Sequence, residues 1–555
     1  MLLNDYRIIR PKSTKIQRKG KAHYVYQVVG QTYKPDKKYT VDKRVCIGKM
    51  IDEVYMIPND KFQDYYPDLI ISEVEPPALS DTLKVGMFTS VHSISQKLGI
   101  TDLLASIFDD DHQLIIDLVS YMIVHESCTF QYYPQFMRNH PSLLGPRSDS
   151  TISSFLKNGI SDENIKLFLS SWNVMHTDLD CVYVGYDSTN FNCAARGLEL
   201  ADYGHPKVDE GLPQINMSYM VNQEDSTPLY YELYDGSIID NSQFSHMVEQ
   251  AELYGYKNIG FLLDRGYCSK KNIDYMDRNG YQFILMMKES QQICREAIAE
   301  VALQLKGLEG YYIAEHGLSG TTIEKKLHAD DKKTRYFHVY YDDVKAAEAK
   351  KVYLVHINKQ EEEIQKKLEK KISRREDMGR YEKCFDLKYD DNGYLRTYRR
   401  RTKVIEEELK YKGFFVIISS EKLTAQKVLE VYRGRDNIEK MFRSLKSGID
   451  FEKMRVHTDA SVKSKVFITF LAMIIRNEIF QKAEELRKIS RKEYTVPAII
   501  NELENVEVTR SGSKKYKRMY ALTKKQKKML SAFGLSEKDI DQMAASLNQK
   551  SASSA

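Results

Sequence analysis

The sequence lacks the features of membrane, secreted and disulfide-bonded proteins. Its longest apolar run is the ten-residue segment VFITFLAMII, about half of what a bilayer-spanning helix needs. The N-terminal segment MLLNDYRIIRPKSTK has no apolar core of a signal peptide. The seven cysteines are scattered singly without a C-x-x-C pair, which favours reduced thiols over disulfides or a zinc site. These absences predict a soluble, cytoplasmic protein with no membrane partner.

The positive charge, in contrast, is concentrated at the two ends of the chain. The formal net charge is only +5, but residues 1–50 carry 13 Lys and Arg against 3 Asp and Glu. Residues 510–528 carry nine cations and no acid. Basic ends of this kind are typical of proteins that bind a polyanion, and DNA or RNA is the usual one. The alternative is that these cations only make the protein soluble.

The pattern of apolar residues predicts an α/β protein with several domains, because 555 residues are too many for a single core. The predicted segments are a basic β-rich segment at 1–80 that ends in a linker near 75–81, a helical domain for DNA binding at 81–175, a catalytic core at 176–290 and 411–455, an inserted, mainly β domain at 291–410, and a helical C-terminal region with a basic tail at 456–555.

Two aspartates follow apolar strands of the predicted core. Asp187 ends VYVGYD and Asp264 ends NIGFLLD, so both can project from a rigid sheet. The order strand, strand, strand, helix, strand is that of an RNase H-like core, in which the first and fourth strands are neighbours. Two carboxylates placed side by side repel each other unless they share a cation. This arrangement predicts a site for a divalent metal.

A third carboxylate, Glu439, lies in LTAQKVLEVYRGRDNIEKMFRSLKSGID, which we expect to form one helix from Thr424 to Gly448. At about 100° per residue, a stripe about 60° wide contains Glu439 and three other side chains, with Arg443 at its edge; the three are Tyr432, Arg435 and Lys446. A separate arc is apolar and consists of Val431, Ile438, Met441, Phe442 and Leu445. A lone Glu among cations suits a site that holds a metal through the Glu and phosphates through the cations. The alternative is a solvated, salt-bridged helix face.

The spacing Y-x2-R-x3-E-x6-K resembles the signature of the YREK group of DDE transposases from bacterial insertion sequences. The similarity covers about 180–290 and 411–480 and includes GYDSTNF around Asp187 and LLDRGYCS around Asp264. It implies an RNase H-like core interrupted by a β-rich insertion, and two Mg²⁺ or Mn²⁺ ions per active site held by Asp187, Asp264 and Glu439. It also implies that Lys446 and Arg435 hold phosphates and that Tyr432 packs on a sugar or base at the transposon end.

Other acids in this part of the chain offer alternatives to Glu439. Glu300 follows Asp264 after 35 intervening residues, the spacing of the third acid in integrase-like relatives. We favour Glu439, because Tyr432, Arg435 and Lys446 accompany it. Three further acids fall in predicted loops and are expected at the surface: Asp202, Asp209 and Asp240. The histidines, His205 among them, show no ligand spacing and are expected to be structural.

The leading hypothesis is therefore a cytoplasmic, nucleoid-associated bacterial DNA transposase whose partners are the terminal inverted repeats and target DNA. Two transposon ends must meet, so we expect a homodimer in the synaptic complex, with the region after residue 456 as a candidate contact. The alternative is that its apolar helix packs only on its own core. Two other functions stay open: a non-catalytic DNA-binding protein derived from a transposase, and a metal-dependent nuclease without strand transfer.

Overall fold

The computed structural model describes residues 7–20, 22–35, 38–67, 69, 80–142, 144, 147–176, 182–195, 197–204, 211–238, 240–253, 259–307, 309–329, 331, 333–370, 374–490, 493–511 and 515–553. Most of the predicted linker, together with His205 and Asp209, lies outside these residues. The chain divides into two compact units, one of residues 1–81 and 510–514 and the other of residues 82–509 and 515–555.

The first unit contains an antiparallel sheet with the strand order β1-β5-β4-β3-β2. Its strands are β1 (Ile8–Ile9), β2 (Thr14–Lys19), β3 (Ala22–Lys34), β4 (Tyr39–Met50) and β5 (Tyr55–Pro58). A small core of Val25, Ile47, Met56 and Phe62 lies beneath the sheet. The alternating pattern at the N-terminus therefore does form strands.

Helices predominate in the next segment, where the periodicity predicted them. After a short strand, β6 (Ser80–Lys84), the elements are α1 (Gly86–Lys97), α2 (Ile100–Phe108), α3 (Asp111–His125), α4 (Tyr133–Phe136), α5 (Asp149–Asn158) and α6 (Asp162–Val174). Their apolar faces join the large core of the second unit, in which Trp172 is fully buried and donates its indole N–H to the carbonyl of Pro228 at 3.0 Å.

The sheet that carries the two aspartates begins with a three-stranded meander. Its elements are β7 (Val182–Cys193), β8 (Gln214–Asn222), β9 (Pro228–Asp235), α7 (Asp240–Leu253), β10 (Ile259–Leu263), α8 (Lys270–Asn279) and β11 (Gln282–Met286). β10 pairs parallel with β7 and β11 pairs parallel with β10, which gives the order β9-β8-β7-β10-β11. This confirms the prediction that the first and fourth strands are neighbours. Asp240 opens α7, whereas we expected it in a loop.

The prediction of a mainly β inserted domain at 291–410 is wrong in two respects. The elements here are α9 (Gln292–Gly307), β12 (Tyr312–Ile313), β13 (Leu318–Lys325), β14 (Arg335–Tyr341), α10 (Asp343–Lys370), β15 (Phe385–Tyr389), β16 (Leu395–Arg400) and α11 (Thr402–Lys410), followed by β17 (Phe414–Ser419). Helices account for more of this segment than strands do, since α10 alone has 28 residues. In addition, β14 pairs with β17 and β17 with β11, so β12–β14 extend the main sheet. Periodicity marks β14 as a strand but does not specify a partner far along the chain.

The C-terminal part of the chain supplies three helices that cover one face of this sheet. Its elements are α12 (Ala425–Arg433), α13 (Asp436–Ile449), β18 (Lys453–Met454), α14 (Asp459–Arg487), α15 (Val496–Leu503), β19 (Glu507–Ser511), β20 (Lys517–Arg518), α16 (Lys524–Ala532) and α17 (Glu537–Ser553). The three helices are α12, α13 and α14, and α12 packs on the face that presents Leu262, Ile284 and Ile417. Alternate residues of β10, Phe261 and Leu263, belong to the core on the other face.

Helix α14 contains the longest apolar run of the sequence. Residues 466–475 are all buried, and they pack into the core of their own chain beside α3 and α5. The alternative, that this apolar helix packs on the core of its own chain, therefore holds for residues 466–475. A subunit contact by the rest of the region after residue 456 stays a prediction. None of the described helices is long and apolar enough to cross a membrane.

Ile438 helps to pack α13 against the sheet, which leads to a prediction. Ile438 is buried and packs above Gly185 of β7, where a Cβ would lie 3.9 Å from the Cβ of Ile438. We expect Ile438→Ala to lower the free energy of unfolding by about 2 to 5 kcal/mol, because it leaves a cavity beneath the helix. Urea denaturation followed by the fluorescence of the single tryptophan, Trp172, measures this. The exposed Lys427→Ala is the control, and equal losses in both variants would contradict the assignment.

Candidate active site

Asp187 and Asp264 lie side by side on the parallel strands β7 and β10. The register pairs Gly185 with Leu262, so the positions two residues further along are Asp187 and Asp264. Since neighbouring strands are about 4.8 Å apart, both side chains are within reach of one cation. The predicted adjacency of the two carboxylates is a direct consequence of this register.

Backbone groups hold one oxygen of each aspartate. The N–H of Ser188 donates to Asp187 Oδ1 at 2.8 Å, and the N–H of Arg265 donates to Asp264 Oδ1 at 2.7 Å. The other oxygen of each carboxylate lies near the guanidinium of Arg435. Each carboxylate thus accepts from a backbone N–H through one oxygen and faces Arg435 through the other.

Asp187 does not end its strand, contrary to the prediction. β7 continues to Cys193, pairs with β8 along its length and pairs with β18 at Asn192 and Cys193. The residues after Asp187 are polar, which is why the sequence suggested a loop. They are nevertheless buried: Ser188, Thr189, Asn190 and Asn192. Asp187 therefore projects from the middle of a rigid strand, at the point where β10 stops.

The segment with the Y-x2-R-x3-E-x6-K spacing is not one helix, also contrary to the prediction. Around Gly434 the backbone N–H groups bond three residues back, as from Gly434 to Val431 and from Arg435 to Tyr432, and this separates α12 from α13. Glycine is a weak helix former. A Cβ at Gly434 would lie 2.1 Å from the side chain of Gln223, so this position also allows a close approach. The break between the two helices turns the side chains that follow it.

Arg435 lies between all three candidate acids. Its Nη2 is 3.1 Å from Asp187 Oδ2 and 3.6 Å from Asp264 Oδ2, and its Nη1 is 2.8 Å from Glu439 Oε1. Arg435 is 11% exposed, whereas the side chain of Glu439 is 52% exposed. Arg435 and Glu439 thus form the salt bridge that the alternative interpretation expected on the helix face. The same guanidinium, however, also pairs with Asp187 and Asp264.

The electrostatics of Arg435 follow from this position. Burial disfavours the charged guanidinium, but the nearby carboxylates, Asp187 foremost, outweigh burial and raise the pKa of Arg435 above its ordinary value. The side chain is therefore a permanent cation at the centre of three acids.

Tyr432 does not share an exposed stripe with Arg435 and Glu439, contrary to the prediction. It is only 8% exposed and packs with Leu262 and Tyr340 in the core between α12 and the sheet. Burial raises the pKa of Tyr432, against the opposing effect of Arg435. Tyr432 is thus a neutral side chain that packs at the start of the break between the helices.

The two other predicted cations lie further along α13. Arg443 is exposed, one turn beyond Glu439, and Lys446 is half-buried, two turns beyond Glu439 on nearly the same face. The structure therefore brings Asp187, Asp264, Glu439 and Arg435 together and places Arg443 and then Lys446 at increasing distance along the helix.

Glu300 lies apart from the aspartates. It is on α9, where its side chain is 53% exposed and pairs with Lys325 of β13 at 3.0 Å. In the sheet order, β13 is four strands from β10, a distance of about 19 Å at 4.8 Å per strand. Asp202 is exposed, as expected.

The structure also adds cations that sequence patterns did not single out. A groove of about 520 Å³ beside Asp264 is lined by five cations and three acids. Two of the cations, Arg265 and Lys288, are exposed and form no ion pair with a described residue. The sequence could have indicated Arg265, because this residue follows Asp264 directly. It could not have indicated Lys288, because only the pairing of β11 with β10 brings this residue to the groove.

A second group of possible metal ligands was also missed. The ligand atoms of Glu315, His316 and Glu430 lie within 4.8 Å of one another. Arg433 donates to His316 Nδ1 at 2.7 Å, so a cation already contacts this group. Glu430 is more than a hundred positions from Glu315 and His316 in the sequence, and no spacing rule connects them.

The acids around Arg435 have the donor chemistry of a divalent-cation site, although the guanidinium occupies their centre and their ligand atoms do not all lie within 4.8 Å of one another. Three carboxylates and one guanidinium leave two uncompensated negative charges, and the donors are all oxygens, which hard cations such as Mg²⁺ and Mn²⁺ prefer. Asp187 Oδ2, Asp264 Oδ2 and Glu439 Oε1 are the atoms that face the common centre.

Comparisons with known proteins identify the family to which this part of the chain belongs. The family model of the transposase DDE domain matches residues 184–475, more than half of the chain, and this range contains all three acids. No curated protein matches the sequence. Among solved structures, the piggyBac transposase synaptic complex with hairpin DNA is similar at 10% identity and a TM-score of 0.33, over 75% of this chain and 70% of that one. The Mos1 transposase paired-end complex with the left transposon end is similar at 14% identity and a TM-score of 0.14, over 24% and 50%.

Because both TM-scores are below 0.5, the family of this chain is assigned from the match over residues 184–475 alone. The chain belongs to the family of proteins with a transposase DDE domain.

Proposed function

We propose that this chain is the DNA transposase of a bacterial insertion sequence, of the YREK group, which cuts transposon ends and joins the freed 3′-OH strand to target DNA. The observation that carries the proposal is the convergence of Asp187, Asp264 and Glu439 on one guanidinium. The strand order β9-β8-β7-β10-β11 supports an RNase H-like core. In the cell we place the protein in the bacterial cytoplasm, associated with the nucleoid.

Asp187, Asp264 and Glu439 would hold two Mg²⁺ or Mn²⁺ ions. When bound, such ions supply charge stabilisation for an in-line phosphoryl transfer. The chain contributes orientation, since the backbone N–H groups of Ser188 and Arg265 keep the two aspartates aimed at one point. Glu439 lies on α13, and Ile438 of this helix is buried against Gly185 of β7. The acids are thus positioned before substrate arrives, which lowers the cost of ordering them.

The cations would hold the DNA. The planar fork of Arg435 suits two oxygens of a phosphate, and Lys446 and Arg443 offer further positive charge along α13. Because Tyr432 is buried, we assign it a positioning role at the break before Arg435 in place of the stacking on DNA expected from the resemblance. The helical segment 81–175 and the basic ends would bind DNA outside the active site.

Substitution of the three acids tests the proposal. We expect Asp187→Ala, Asp264→Ala and Glu439→Ala each to abolish cleavage of a plasmid that carries the terminal inverted repeats, with Mg²⁺ present, while binding of end DNA in EDTA persists. Double variants should be no worse than single ones, because the acids act as a unit. Glu300→Ala is the matched control and should stay active.

The outcome of this assay also separates the alternatives. An inactive Glu300→Ala with an active Glu439→Ala would overturn the assignment of the third acid. Cut ends that never join target DNA would indicate a nuclease without strand transfer. Specific binding by the wild-type protein without any cleavage would indicate a non-catalytic DNA-binding protein.

The guanidinium among the acids leads to a second prediction. Arg435→Gln leaves three carboxylates without their counterion, so we expect a lower thermal midpoint in EDTA than for the wild-type protein. Mg²⁺ should then raise the midpoint of this variant more than that of the wild type, since a bound cation replaces the lost charge. The control is Arg396→Gln, which removes the same charge at an exposed position of β16, away from both groups of acids. Equal Mg²⁺ shifts in both variants would argue against a metal at these acids.

The third prediction concerns assembly. Two transposon ends must be cut and joined, and each chain offers one set of three acids, so we propose a two-fold homodimer in the synaptic complex with one end per active site. Light scattering with and without end DNA should show two chains and two ends in the active complex. An active complex of one chain with two ends would contradict the dimer.

A further inference from the structure

The hairpin of β3 and β4 extends beyond the sheet of the first unit. β3 pairs with β2 only over residues 22–27, and β4 pairs with β5 only over residues 48–50. Beyond these limits, residues 28–34 of β3 and 39–44 of β4 pair with each other and with no other described strand. We call these two stretches the arm. Seven residues at about 3.4 Å each give it a length of about 24 Å.

The arm has no core of its own. None of its side chains belongs to a hydrophobic core of the described residues, and a Cβ at Gly30 would meet no atom within 4 Å. Tyr33 and Tyr39 are 59% and 50% exposed, and Val29 is 46% exposed. A two-stranded hairpin without packing is at most marginally stable in water. The arm therefore has the properties of an element that a binding partner covers.

One face of the arm is cationic and contains no acid. Directly paired residues of an antiparallel ladder share a face, and every second pair lies on the same face. The pairs on this face are Lys34–Tyr39, Thr32–Val41 and Gly30–Lys43. Lys34 and Lys43 are exposed, and neither forms an ion pair with a described residue. We call this side the lysine face.

The opposite face contains the one acid among the residues of the arm, Asp42. Lys15 and Arg44 both pair with Asp42 Oδ2, the second at 3.1 Å. Gln31 Nε2 donates to Asp42 Oδ1 at 3.0 Å. These partners lower the pKa of Asp42 to about 2, and the hydrogen bond from Lys15 is the largest cause. The carboxylate is thus compensated within the sheet and does not offset the charge of the lysine face.

The shape and charge of the arm favour duplex DNA as its partner. The major groove of B-DNA is about 12 Å wide and admits a two-stranded β-ribbon. Duplex RNA has a deep, narrow major groove that side chains cannot read, so it does not fit the arm. Lysines and β-bulges at an open edge disfavour pairing with a strand of another chain. The arm has both, since the register shifts between Val28 and Gly30.

The spacing of the two lysines matches the groove. Lys34 and Lys43 belong to pairs that are four residues apart along the arm, about 14 Å at 3.4 Å per residue. This distance is close to the width of the groove, so the two ammonium groups can contact phosphates on its two sides. Thr32 and Val41 lie between them on the same face. Threonine hydroxyls and apolar side chains are both used for contacts with base edges.

We propose that the arm inserts into the major groove of duplex DNA, with Lys34 and Lys43 on phosphates and with Thr32 and Val41 against the base edges between them. The choice of DNA as partner rests on the proposed function, which assigns DNA binding to the basic N-terminal end. The geometry of the arm adds the groove that is entered and the residues that enter it.

The first measurement is the salt dependence of binding to duplex DNA that carries the terminal inverted repeats, without divalent metal. Lys34→Ala and Lys43→Ala should each lower the slope of log K against log[NaCl] by about 0.9, the value of one phosphate contact. Lys61→Ala is the matched control, because Lys61 is an exposed lysine of the same unit outside the arm. This variant should leave the slope unchanged.

The second measurement is a dimethyl sulfate footprint on the same DNA, which reports guanine N7 in the major groove and adenine N3 in the minor groove. Gly30 and Lys43 pair directly, so Asn-Gly in place of residues 31–42 closes a shortened hairpin with a two-residue turn. We expect the wild type to protect guanine N7 at a few neighbouring base pairs. The shortened variant should lose this protection and leave the adenine N3 pattern unchanged.

Several results would overturn the insertion of the arm into DNA. One is a salt slope of Lys34→Ala and Lys43→Ala equal to that of Lys61→Ala. Another is guanine N7 protection that survives shortening of the arm, even where the slopes fall. Competition by duplex RNA of the same sequence as strong as that by DNA would also exclude the major groove. A wild-type dimer that becomes a monomer on shortening, measured by light scattering without DNA, would assign the arm to a second copy of the chain.

These measurements are independent of cleavage, so the two proposals fail separately. A footprint that depends on the arm, together with a wild-type protein that never cleaves, would refute the proposed function and leave the role of the arm intact. Cleavage of transposon ends together with an unchanged footprint of the shortened variant would refute the role of the arm alone.

Discussion

The contact of Arg435 with three carboxylates is the interaction on which the rest of the site depends. Each acid alone is an ordinary strand or helix residue, and together they repel. One guanidinium within 2.8 to 3.6 Å of all three makes their convergence compatible with a folded chain. The convergence requires parallel pairing of β7 with β10 and a helix that delivers Arg435 and Glu439 to the same edge of the sheet.

Helix α13 contributes to the site on one side and contacts α14 on the other, because it packs between the sheet and α14. One side presents Glu439 and Arg435 to the strand aspartates, and Ile438 anchors it on β7. The opposite side meets Arg476 through the open space at Gly448. The same rigid element therefore links the three acids to the C-terminal helix α14.

Local patterns predicted much of the fold and part of the site. Alternation and helical periodicity identified the strands around Asp187 and Asp264, the helices at 81–175 and the buried arc of α13, because burial on one face leaves a period in the sequence. The same patterns failed at 291–410, where β14 joins the main sheet through β17. They also failed after Asp187, where buried polar residues continue the strand. Partners distant in sequence satisfy these residues, and no local period records them.

The sequence by itself determined which acids and cations are available and, through the spacing around Glu439, which of them belong together. Tertiary structure decided how they meet. The break at Gly434 buries Tyr432 and turns Arg435 toward the aspartates, and the strand order separates Glu300 from them by four strands. It also packed the buried guanidinium of Arg476 against α13 at Gly448. The physical reason is that residue type and period specify an element and its buried face, whereas the neighbours of a side chain depend on packing between segments far apart in the chain.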